Sequence, residues 1–145
     1  MILQICLCVI AVIGFSLIFN VPRAELIFCG IAGAGGWTVF TLITTLTYGT
    51  AIVATFFAAM TVTAFARILS TLRRMPSTLY IIPGVIPLVP GSLLYRTMAY
   101  VVTGEHGRAL VQGIEALAIA GVIALGLLVV LSLPRRLFTF ERRKA

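Results

Sequence analysis

The chain has 145 residues, 61% of them hydrophobic and 10% charged, with a mean hydropathy of +1.15 and a formal net charge of +7. One soluble core of this length cannot cover so much apolar surface, so the composition excludes a soluble globular domain and indicates an integral membrane protein. The basic residues fall in short clusters at the ends of apolar runs, which excludes a nucleic-acid face; with no Asp, one His and acids only at Glu25, Glu105, Glu115 and Glu141, most hydrolytic constellations lack parts.

The first apolar segment, 2–19, is just long enough to cross a hydrocarbon core. No basic residue precedes it and no small-residue cleavage pattern follows, so a retained helix is expected in place of a signal peptide. Cys6 and Cys8 are two apart and point to different faces of a helix, a poor metal pair; with Cys29 they read as reduced packing residues, and no metal or cofactor is expected. Asn20-Val21-Pro22-Arg23 breaks the segment, and Pro22 suits the first turn of the next helix.

The second segment, 24–46, carries Gly30, Gly33 and Gly36 at spacings that let another backbone approach closely in lipid. This is a packing face or a hinge, and around Gly33 to Gly36 it is also the candidate contact surface for a partner. Tyr48 beside Gly49 suits an interfacial turn. The third segment, 50–72, is rich in Ala, Thr and Phe; its hydroxyls, like those of Thr41, Thr44 and Thr45, are expected to bond their own preceding carbonyls. Arg67 is near enough to the end of this segment to snorkel toward the headgroups with Arg73 and Arg74.

The fourth segment, 77–103, holds Pro83, Pro87 and Pro90 with Gly84 and Gly91. Each proline removes a donor and clashes one turn back, so a broken helix is expected. Non-helical backbone at membrane depth belongs where it is buried in protein or lines a watery cavity, which makes 82–96 the first place to look for a solute site. A half-helix starting near Gly91 aims amides and the positive end of its dipole at that cavity, with Ser92 as a possible cap and Arg96 one turn on, an arrangement suited to a carboxylate. Pro87, Pro90, Gly91, Ser92, Tyr95 and Arg96 are therefore the candidate substrate-binding residues.

A polar turn, 103–108, leads to the fifth segment, 109–133, and a basic tail, 134–145. Arg96 and Glu115 each lie about 15 Å from that turn at helical rise, at similar depth, and are expected to pair or to alternate with a solute and a proton; Glu115 is the proton-coupling candidate. A purely structural pair is the rival reading. Arg23, Arg67, Arg73, Arg74 and the five basic residues of the tail, nine of the eleven Lys and Arg, share one side in a five-span arrangement. That asymmetry predicts an N-terminus outside and a cytoplasmic C-terminus. The expected fold is a single all-α transmembrane domain, 1–145, of about five helices, the fourth broken by Pro and Gly.

Asn20-Val21-Pro22, the glycine-rich second segment and Ile86-Pro87-Leu88-Val89-Pro90-Gly91-Ser92-Leu93-Leu94-Tyr95-Arg96 resemble the C-terminal half of the threonine/serine exporter (ThrE) family, in its short, separately encoded YjjB-like form. The resemblance covers essentially the whole chain. It implies proton-motive export of small metabolites across the bacterial inner membrane, together with a larger membrane protein that supplies the other half. Threonine and serine are the implied substrates of fused forms and dicarboxylates such as succinate of some split ones. An odd number of spans independently calls for a second copy or a related half. A non-transporting scaffold or a channel subunit is the alternative; an enzyme is not expected.

Overall fold

The computed structural model describes residues 2–46 and 50–134. The interfacial turn expected at Tyr48 and Gly49 and the tail from Arg135 lie outside the described residues. The fold is all-α: α1 (Ile2–Ile18), α2 (Leu26–Leu46), α3 (Ala51–Arg73), α4 (Thr78–Val85), α5 (Gly91–Val102) and α6 (His106–Ser132), with 3₁₀ turns at Arg23–Glu25 and Ile86–Leu88. Three stretches, Arg23–Leu46, Ala51–Arg73 and His106–Ser132, are long and apolar enough to cross a membrane. Thr78–Leu88 and Gly91–Val102, bent by 53°, make a fourth when counted as one broken span, and α1 is a shorter apolar helix of 17 residues.

The prolines act unequally. Pro83 is accommodated inside α4, and Pro87 lies in the 3₁₀ turn; the chain leaves helical geometry only at Val89, where ψ is 131°, and Pro90, where ψ is 58°. Proline disfavours the α region for the residue before it, which accounts for extended Val89.

Helix α2 is central and packs on α1, α3 and α4, while α4 also meets α1 and α3; α6 lies against α3, and α5 packs chiefly on α6. Glycine makes this close packing possible. A Cβ on Gly33 would stand 2.6 Å from Val12 Cγ2 of α1, one on Gly84 2.8 Å from Val62 Cγ1 of α3, and one on Gly36 would overlap the Val62 side chain. Gly30 likewise abuts Val9 and Ile13. The glycine face expected to receive a partner is thus filled from within the chain, by α1 and α3.

Gly36→Ala should therefore cost about 1–3 kcal/mol through overpacking, and adding Val62→Ala should restore part of it. Gly14→Ala, in the interior of α1 where nothing lies within 4 Å of the new Cβ, should raise stability by about 0.4–1 kcal/mol. Thermal unfolding in detergent distinguishes the three.

The threonines Thr41, Thr44, Thr45, Thr55, Thr61 and Thr63 each donate to a carbonyl three or four residues back. Arg67 departs from expectation. It is buried, and its Nη1 donates to the carbonyls of Val130 and, at 2.8 Å, Leu133, so it closes the C-terminal end of α6 instead of snorkelling. These bonds, with the contacts among Glu25, Arg73 and Tyr80, bring the 20–25 turn, the end of α3, the start of α4 and the end of α6 to one end of the bundle. Arg23, Arg67, Arg73 and Arg74 lie at or near this basic end.

Candidate functional site

The break lies near the middle of the bundle. Leu88, the last residue of the 3₁₀ turn, packs in one cluster with Ala58, Ala59 and Val62 of α3 and Ile119 and Ile123 of α6. From Ala59 to the basic end of α3 is about 21 Å at helical rise, and to its other end about 12 Å. Here α4, with Tyr80, Ile81, Pro83 and Gly84 buried, gives way to α5, which has no buried residue. One half of the span is thus held inside the bundle and the other stands outside it.

The N-cap position of α5 is Pro90, and no side chain caps the helix; Ser92 is exposed and takes no part in capping. The first amides of a helix have no intrahelical partner; in α5 the Gly91 N–H donates to the Val89 carbonyl and that of Leu94 to the Pro90 carbonyl, so the Ser92 and Leu93 amides, with the positive dipole end, are presented at mid-depth. Pro87 borders a cleft with Gln4, Leu7, Cys8, Ala11 and Trp37. Trp37 stacks on Phe40 at 5.3 Å, and its buried Nε1 has no partner among the described residues.

Antiparallel to α5, α6 sets the register of the residues beyond the break. A Cβ on Gly113 would meet Thr97 Cγ2 at 3.4 Å, so Arg96 and Glu115 stand within about one or two residues of the same level. They do not pair. Both are exposed, and the ion pairs among the described residues are Arg73–Glu25 and Arg108–Glu105. Arg96 precedes Thr97 by one position and Glu115 follows Gly113 by two, so the helical turn of about 100° per residue carries the two side chains away from each other.

Their depth also differs from expectation. Gly126 packs on Phe56 and Ala59 of α3, which runs parallel to α6. Back from Gly126 to Glu115 is about 16 Å of helix, against about 12 Å from Ala59 to the start of α3. Glu115 and Arg96 therefore stand about level with the N-terminal end of α3, away from the basic end, and the α5–α6 turn projects beyond it.

Within that hairpin the polar residues keep helical spacing: Ser92, Arg96 and Tyr100 on α5, and Arg108, Gln112 and Glu115 on α6. The two rows join where the Arg108 guanidinium lies 6.0 Å from the Tyr100 ring centre, beside a small cleft that Gln112 also lines. Leu94, Met98 and Val101 of α5 and Leu110, Ile114 and Leu117 of α6 form exposed apolar rows. Tyr95 is 75% exposed.

At the basic end stands a cluster that the sequence reading missed. Glu25 is 3% exposed; Arg73 donates to it twice, from Nε at 3.1 Å and Nη2 at 2.8 Å, and the Tyr80 hydroxyl donates at 2.7 Å. The Arg73 guanidinium lies 4.7 Å from the Phe28 ring centre. The partners are 48 and 55 residues from Glu25. Their sequence signal is topological: in the five-span arrangement expected from the sequence, Glu25 follows the 20–23 turn, and Arg73 opens and Tyr80 follows the 73–76 turn on the same side.

A family model described as Threonine/Serine exporter, ThrE, matches residues 4–133. The chain belongs to the threonine/serine exporter family. This is a transporter family, and the match spans α1 to the end of α6, taking in the break, the polar rows and the Glu25 cluster. No curated protein and no solved structure matches the chain. Membership fixes transport as the function class while leaving individual residue roles to the geometry.

Proposed function

We propose that the chain is one subunit of a two-component secondary exporter that moves small carboxylate metabolites, threonine and serine in type, out of the cell. The observation that carries this reading is the break at Val89–Pro90: a half-helix starts in the middle of the bundle with no side-chain cap, leaving the Ser92 and Leu93 amides for a ligand. Broken helices of secondary transporters hold anionic groups in this manner. Pro87, Pro90 and Gly91 shape the break, the α5 amides and Ser92 receive the carboxylate at mid-depth, and Arg96, with Tyr95 at its side, draws the carboxylate along α5. Glu115, exposed at the same level, is the residue that exchanges a proton with the outside.

A larger membrane protein supplies the other half. Lipid covers apolar rows readily, but ionisable side chains within or against a bilayer belong beside a protein or water-filled surface, and α5 presents Arg96 with no buried residue around it. The basic end faces the cytoplasm of a bacterial inner membrane, in keeping with the positive-inside rule, which puts the N-terminus outside. Export of a dicarboxylate of the succinate type is the second reading, favoured by a second guanidinium, Arg108, which is paired with Glu105 where the α6 row meets that of α5 at Tyr100.

Efflux from cells loaded separately with labelled threonine and labelled succinate, expressing the chain with and without its genomic neighbour, tests this. Saturable threonine efflux that needs both proteins and the proton gradient is expected; succinate efflux alone moves the assignment to dicarboxylates, gradient-independent flux to a channel, and no efflux to a scaffold. Glu115→Gln should abolish the gradient dependence while leaving counterflow exchange intact, and gradient-driven export by that variant at the wild-type rate would remove Glu115 from the coupling role.

A further inference from the structure

The Glu25 cluster has the composition of an occupied carboxylate site. Two donors from different elements, the Arg73 guanidinium at the end of α3 and the Tyr80 hydroxyl in α4, converge on one carboxylate with charge-assisted geometry. The carboxylate belongs to the chain itself, and it is carried on the 3₁₀ turn Arg23–Glu25 that opens the α2 stretch, just after the 20–22 loop. Tyr80 is fully buried, but Arg73 is 40% exposed, so the pair of donors opens to the basic end. At the same end of the bundle a largely apolar cleft of about 280 Å³ lies between the 19–21 segment and the start of α4, lined by Leu79, next to Tyr80 in sequence, but by none of Glu25, Arg73 and Tyr80 themselves; its size is close to the lower bound of small-molecule sites, roughly 300 Å³.

We propose that Arg73 and Tyr80 form an inner carboxylate-binding site that Glu25 occupies in this conformation, and that a carboxylate bound for export enters by displacing it. The inference rests on the carboxylate-exporter reading and gives it a loading site at the end opposite Arg96. When Glu25 leaves, α4 loses a tie to the 20–25 turn, so substrate arrival loosens the inner half of the broken helix. Release of the substrate returns the tethered carboxylate to its donors and closes the inner end.

The chain contains its own reporter. Cys29 stands one helical turn beyond Glu25, is fully buried, and its Sγ lies 3.6 Å from the Leu79 carbonyl of α4. Displacement of Glu25 opens this contact and exposes the thiol. The full chain, with Cys6→Ala and Cys8→Ala, is expressed with its partner in membrane vesicles, and N-ethylmaleimide labelling of Cys29 is timed. Glu25→Gln should label about tenfold faster, since labelling follows local opening. Acetate or L-threonine should speed labelling in the wild-type background and slow it in Glu25→Gln, where the added carboxylate fills the vacated site. L-threoninol, which lacks the carboxylate, should do neither, and Arg73→Gln should abolish both responses.

Faster labelling of Glu25→Gln with no response to any carboxylate would reduce the cluster to a structural ion pair and overturn the proposal. Equal responses to threonine and threoninol would overturn it as well. If Glu25→Gln fails to fold, the carboxylate response of the wild-type background decides alone. A response to acetate in a protein that exports neither threonine nor succinate would uphold the site and overturn the exporter reading instead.

Discussion

Arg67→Leu should lower stability by about 2–4 kcal/mol, the largest loss expected of any single substitution of an arginine in the bundle. The guanidinium is buried and donates to the carbonyls of Val130, Leu131 and Leu133, at the last turn of α6. Pro134 has no N–H to offer the Val130 carbonyl, which takes a bond of 3.3 Å from the Leu133 amide, and in an apolar setting a carbonyl left without a donor costs about 1–3 kcal/mol. Leucine recovers some packing and removes a buried charge, which limits the loss. Arg67→Lys, with a compact ammonium on a flexible stem, should satisfy one or two of the carbonyls and lose about half as much. Thermal unfolding in detergent, with α6 docking read by cysteine crosslinking between α3 and α6, checks the order wild type, Lys, Leu.

Arg96→Ala should reduce threonine efflux by roughly 10–100-fold, the cost of about 1.4–2.8 kcal/mol of lost carboxylate stabilisation. Arg96 is exposed on a helix with no buried residues, so the protein should fold and insert as wild type. That separates this variant from the α6-capping Arg67. Arg96→Lys keeps the charge without the bidentate fork and should retain part of the flux. An Arg96→Ala protein that exports threonine at the wild-type rate would leave the α5 amides as the only carboxylate donors at the break.

Much of the architecture was legible because membrane helices announce themselves by apolar length and by the prolines and polar turns between them. Three of the five expected segments, 24–46, 50–72 and 109–133, overlap the three stretches long and apolar enough to cross a membrane; the bent pair at 78–102 makes a fourth when counted as one span, and α1 is shorter than the others. The place of the break was legible only in part. Pro83 fits inside α4 because Gly84 beside it has no Cβ and lets Val62 and the Gly33 backbone approach, so burial there outweighs the lost amide bond.

The site was harder to read, because sequence counts rise along a helix better than rotation around neighbours. The count placed Arg96 and Glu115 at one level, as Thr97 against Gly113 requires, yet it was silent on which way each side chain turns. Arg67 and Glu25 find their partners 63 and 48 residues away, through the packing of α3 on α6 and of two turns at one end. No local pattern encodes such meetings. The glycine spacing of α2 leaves a packing face and a hinge both open, and spacing alone does not say whether a neighbour is in the same chain; in the fold Val12 and Val62 of this chain stand against Gly33 and Gly36.

The central claim is that the broken helix recognises a carboxylate through α5 and Arg96. It is tested most directly by competition: efflux of labelled threonine through the chain and its partner, reconstituted in vesicles, in the presence of excess unlabelled threonine or threoninol on the substrate side. Strong inhibition by threonine, weak inhibition by threoninol, and loss of that difference in Arg96→Ala is the predicted result. Equal inhibition by the two compounds in the wild-type protein would show that the carboxylate is not what the break recognises.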